Sequence, residues 1–133
     1  MTDHQTAVAR ACFEAAERDQ LAFPDSVRRL SEAGFERYAV DFCRGTWTCY
    51  TPEGDSIVLD AARRDTRIGL GFDLAAVKAA IREAQEQAPD YTYAGFCEKV
   101  MRAGCVGYVV SFPGRRAIYS ARKGEAHVEH FPT

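Results

Sequence analysis

The chain has 133 residues, with 17 Lys+Arg against 19 Asp+Glu, a net charge of −2 and a pI near 5.9. An apolar share of 47% and a charged share of 27% exclude a disordered tail, a collagen-like chain and a transmembrane protein. The balance of charge does not favour a nucleic-acid partner, and the length suits one domain, residues 1–133, with a core large enough to fold unaided.

Met1–Gln5 lacks a basic segment followed by an apolar run, so the expected compartment is the cytoplasm and no membrane association is expected. A first helix follows Asp3, with Val8, Cys12, Ala15 and Ala16 on one side. A short second helix takes Pro24 in its first turn and buries Val27 and Leu30. It closes at Ala33-Gly34-Phe35, where a left-handed glycine lets Phe35 fold back on Leu30. Tyr38, Val40 and Phe42 then alternate with Ala39, Asp41 and Cys43 as a strand. Arg44-Gly45 reads as a two-residue turn, which places Phe42 opposite Trp47 and Val40 opposite Cys49. A third strand is predicted over Ser56–Asp60. Residues 61–72 carry Arg63, Arg64 and Arg67, then Gly69-Leu70-Gly71. No Lys-Ser/Thr follows those glycines and no strand-to-helix GxGxxG is present, so the segment reads as a linker rather than a phosphate loop.

The second half repeats the order. Asp73 caps a helix bearing Leu74, Val77, Ile81, Ala84 and Ala88, ended by Pro89. A short helix with Phe96, Cys97 and Val100 closes at Ala103-Gly104-Cys105. Tyr108, Val110 and Phe112 lead to a turn at Pro113-Gly114. The return strand carries Ala117 and Tyr119, and the last strand spans Ala126–His130.

Sliding the chain on itself by 70 residues needs no gap. Ala33-Gly34, Tyr38, Val40 and Phe42 fall on Ala103-Gly104, Tyr108, Val110 and Phe112. Nine of 63 pairs are identical, against roughly four expected from average composition. The predicted class is α+β: an internal duplication of an ααβββ unit, about 3–60 and 73–130 joined by 61–72, forming antiparallel sheet with helices packed on one face. Two such units around a pseudo-twofold axis would share a cleft between them.

Three blocks carry a resemblance: Ala33-Gly34 through Tyr38 to Val40-Asp41-Phe42, then Gly114-Arg115-Arg116 with Tyr119, then Gly124-Glu125 through His127-Val128-Glu129-His130-Phe131-Pro132. The pattern resembles the YdfO-like and YbcV-like family of bacterial and prophage proteins of unknown function, which bears the label "phage envelope protein". The resemblance is clearest from Leu21 to Pro132, and Gly124–Pro132 is its most specific element. It implies a duplicated α+β domain and carries no catalytic residue.

Candidate chemistry centres on the last strand. His127 and Glu129 share one face and His130 takes the other. Metal binding there would need a further ligand, such as Asp41, Asp60 or a cysteine, so no metal and no cofactor is assigned. An acid/base pair is the catalytic alternative, but no Ser or Cys nucleophile is spaced beside it. Arg115, Arg116 and Arg122 on the preceding hairpin, with His127, Glu129 and His130, form the candidate ligand-binding set. Fixed positive charge beside imidazoles suits a carboxylate or phosphate. The five cysteines are odd in number and without a CxxC, which reads as reduced apolar filler rather than a disulfide framework or reactive thiols. The aromatics Tyr38, Trp47, Tyr108 and Tyr119 read as core, with Tyr50 on the opposite face. The functional expectation is a non-catalytic binding or interaction module for a protein partner or a small anionic ligand, as monomer or homodimer. The alternative is a small enzyme or metal-binding protein using the His-Val-Glu-His strand.

Overall fold

Alternating burial along the strands decides which face of the sheet meets the core. In the computed structural model, which describes residues 1–132, two helices precede three strands, and the same order follows a second time. The first set is α1 (Asp3–Glu17), α2 (Phe23–Glu32), β1 (Arg37–Asp41), β2 (Thr46–Tyr50) and β3 (Ser56–Asp60). The second is α3 (Leu74–Glu86), α4 (Tyr93–Arg102), β4 (Cys105–Ser111), β5 (Arg116–Ala121) and β6 (Ala126–His130). The strands form one antiparallel sheet in the order β3-β2-β1-β4-β5-β6. The class is α+β.

Tyr38, Val40, Trp47, Cys49, Tyr108, Val110, Ala117 and Tyr119 are buried, while their strand neighbours are not. Phe13 of α1 lies against Trp47, and Phe96 of α4 against Tyr108 and Tyr119. The opposite face leaves Val58 and Val128 exposed at its two edges, and Tyr50 lies there beneath the Arg37 guanidinium at 3.7 Å. Cys12, Cys49, Cys97 and Cys105 are buried and Cys43 is exposed, all as free thiols. Burial pushes the Cys49 thiol up to about 12 and that of Cys105 up to about 11, so both stay protonated fillers. No helix among the described residues is long and apolar enough to cross a membrane.

Both short helices close as expected. Gly34 and Gly104 have φ of 100° and 103°, and Phe35 N–H donates to Leu30 O at 3.1 Å. Gly69 serves close packing, since a Cβ there would lie 2.2 Å from the Arg102 carbonyl oxygen. Gly69 N–H donates to Met101 O, and Asp73 N–H to Ala103 O. This ties the linker to the end of α4.

Three local expectations are corrected. Helix α1 begins at Asp3 rather than after it, and Thr2 caps it. Thr2 Oγ1 accepts from Gln5 N–H and Gln5 Oε1 accepts from Thr2 N–H, both at 3.0 Å, which is the reciprocal capping box. Helix α3 is capped by Asp73 as predicted, but it stops at Glu86. Gln87 adopts φ 50°, and Ala88 N–H donates to Glu83 O, so the chain has left the helix before Pro89. The first hairpin is two residues off the expected register. Val40 pairs with Trp47, and Asp41 with Thr46. The Asp41 carboxylate accepts from Cys43 and Arg44 N–H, and Gly45 turns at φ 69°, which makes a four-residue loop in place of a two-residue turn. Because the shift is two, every side chain keeps its face.

Candidate functional site

Where helices bridge a sheet of large side chains, small residues leave space. Ala16 of α1, Ala84 of α3 and Ala117 of β5 all line a cavity of about 370 Å³ among aromatic rings. The sheet supplies its floor. Tyr38 and Trp47 meet at 4.8 Å between ring centroids, and Tyr108 stacks on Tyr119 at 5.1 Å. Phe13 closes one side against Trp47 at 5.3 Å, and Phe96 meets Tyr108 edge-on at 6.2 Å. At the mouth, Phe23 and Phe131 form an edge-to-face pair at 5.5 Å. Both halves of the chain contribute to the wall.

The polar groups at the cavity are fixed by hydrogen bonds. Tyr93 and Tyr108 share one between hydroxyls at 2.8 Å. Asp19, in a left-handed turn at φ 58°, accepts the Tyr93 N–H at 2.7 Å and so locks the α1–α2 connection to the start of α4. Glu129 accepts from Gln85 Nε2 at 3.3 Å and lies 2.9 Å from His127 Nε2. Burial holds the Tyr38, Tyr93 and Tyr108 phenols well above the usual tyrosine range, so they remain neutral.

The expected site residues separate. Glu129 pairs across the strands with Ala117 and His127 with Tyr119, which places both on the buried face. His130 pairs with Arg116 on the opposite face. Of the set, Glu129 and His130 line the cavity. Arg115 sits 5.6 Å from the Phe131 ring. Arg122, at the far end of β5, donates to Ile68 O at 3.1 Å and holds the linker. Arg115 and Arg116 therefore lie beside His130 at one end of the hairpin, while Arg122 lies at the other end and His127 on the other face.

No protein-family model and no curated protein sequence matches this chain. Geometry has to carry the reading. Among the described residues no three His, Cys, Asp or Glu side chains group as metal ligands. A shallower hollow of about 710 Å³ lies over Arg63, Arg64, Arg67 and Arg102. There Arg64 is paired with Glu17 at 3.3 Å, and Thr66 Oγ1 donates to Glu98 at 3.2 Å. Arg64 thus meets an acidic partner and the hollow lies open to solvent, whereas the other cavity is walled by aromatic rings, which makes it the stronger site. It went unseen in the sequence because each of its rings reads as core by alternation. The available signal was the three inward alanines among them.

Proposed function

We propose that this chain is a non-catalytic binding module whose ligand is a small, flat, largely apolar molecule held in the aromatic cavity. The observation that carries this reading is a cavity of about 370 Å³ walled by aromatic rings from both halves of the chain, within the range in which small-molecule sites fall. The raised phenols that line it support binding over chemistry, since they are not poised as nucleophile or base. The protein acts in the cytoplasm, as a member of the YdfO-like and YbcV-like family that its C-terminal block resembles.

The module is read as one domain made by duplication of an ααβββ unit, with its helices on one face of the sheet. Several backbone features support this by recurring 70 residues apart. Positive φ occurs at Gly34 and Gly104, Gly45 and Arg115, and Gly54 and Gly124. Asp41 and Ser111 each accept loop N–H groups. At the centre Ala39 pairs with Val109, its own counterpart, and Tyr38 with Val110 as Val40 does with Tyr108. A twofold relation between units would give that pattern.

The test uses p-cresol and quinoline in a thermal-unfolding titration. At ten times its Kd a bound ligand should stabilise by about 1.4 kcal/mol, raising Tm by about 5 °C. Ala84→Phe fills the cavity and should abolish the rise while keeping the circular-dichroism spectrum. A Tm unmoved by either compound, or moved equally in the filled variant, would sink the proposal.

A further inference from the structure

We infer that the ligand is a compact organic cation, an inference that rests on the cavity being the binding site. The rings of Trp47, Tyr38, Tyr108 and Tyr119 line the cavity, and the face of such a ring is the negative side of its quadrupole. A cation placed against such faces is attracted, and more strongly where water is excluded. The carboxylates that line the cavity point the same way. They are Asp19 and Glu129; His130 reaches the lining from the opposite face of β6, and no Lys or Arg is among the lining residues.

The nearby guanidinium groups stay outside the lining. Arg64 pairs with Glu17 at 3.3 Å and lies 5.8 Å from the Tyr93 ring, and Arg115 lies 5.6 Å from the Phe131 ring at the mouth. Glu129 is the fixed countercharge. Gln85 and His127 hold its two oxygens in place at the β6 end of the cavity, and a carboxylate keeps lone pairs beyond the two used. The neutral phenols add oxygen lone pairs without adding charge. A carboxylate or phosphate entering here would exchange water for aromatic rings and two acidic side chains, with no Lys or Arg in the lining to meet it. The expected ligand charge is therefore opposite to the one that the Arg115–Arg116 hairpin led to.

Three probes of similar shape separate the cases by calorimetry on the full chain: phenyltrimethylammonium, its neutral isostere tert-butylbenzene, and benzenesulfonate. The cation should bind at least tenfold more tightly than the neutral compound, and the sulfonate should give no measurable heat. Glu129→Gln should narrow the cation-to-neutral ratio several-fold. Equal or tighter binding of tert-butylbenzene would overturn the charge assignment and leave the cavity reading intact. Tightest binding of benzenesulfonate would overturn it in favour of the arginine hairpin. Silence from all three probes, with p-cresol and quinoline silent too, would remove the cavity reading along with it.

Discussion

Raising the pH from about 8 to about 11 is expected to remove on the order of 5 kcal/mol of stability, enough to unfold a protein of ordinary stability. The cause is the set of buried weak acids. Tyr38, Tyr93 and Tyr108 are held well above the usual tyrosine value, Tyr91 is pushed up to about 12, and Cys49 to about 12, in each case mainly by loss of water around the charged form. Below about pH 8 the folded and unfolded chains both keep these protons, so stability is flat. Above that the unfolded chain releases thiol and then phenol protons that the folded chain retains. The unfolded state then binds fewer protons, and stability falls with pH. Each such group costs about 1.4 kcal/mol per pH unit between its unfolded and folded values. Urea unfolding at a series of pH values should show a midpoint that is steady to about pH 8, declines as thiols ionise in the unfolded chain, and collapses above about pH 10. Tyrosinate absorbance should appear together with loss of helix. A midpoint unchanged at pH 11 would contradict the burial of these hydroxyls.

Gly104→Val should cost about 3 kcal/mol or more, and Gly34→Val about 1 kcal/mol or more. Both glycines hold the left-handed turn that closes a short helix, at φ 103° and 100°, which a β-branched residue resists. Their surroundings differ. A Cβ on Gly104 would lie 2.2 Å from the Gly71 carbonyl oxygen, so the linker would have to move away from the end of α4. A Cβ on Gly34 would meet only the Gln5 side-chain amide at 3.0 Å, the end of a flexible chain that can give way. Chemical denaturation of both variants checks the pair. Equal losses would mean that the linker contact contributes nothing beyond the cap.

The parts of the fold that were readable from sequence are those set by local chemistry. Ala33-Gly34-Phe35 and Ala103-Gly104-Cys105 mark helix ends because only glycine takes the required turn without strain. The strand faces follow from alternation, which is why Tyr38, Trp47, Tyr108 and Tyr119 could be placed on the covered side and Tyr50 on the other. The hairpin register needed one more term. Arg44-Gly45 resembles a two-residue turn, but the Asp41 carboxylate captures two loop amides and lengthens it. An aspartate four residues before the glycine was the clue. The cavity was harder, since alternation tells which way a side chain points and not whether the opposite layer fills the space. That depends on which residues from α1, α3 and α4 come to line the space, and on alanine at positions 16, 84 and 117. The candidate site was only partly readable for a related reason. Glu129 was placed on the correct strand, but its partner Gln85 comes from α3, 44 residues earlier.

Chemical-shift mapping tests the central claim most directly. With the chain isotopically labelled and titrated with phenyltrimethylammonium or p-cresol, shifts should concentrate on the Trp47 indole, on Tyr38, Tyr108 and Tyr119, and on the Ile81 and Ala84 methyl groups. Shifts confined to the Arg115–Arg116 loop and the exposed end of β6, with the Trp47 indole unmoved at saturation, would contradict the account.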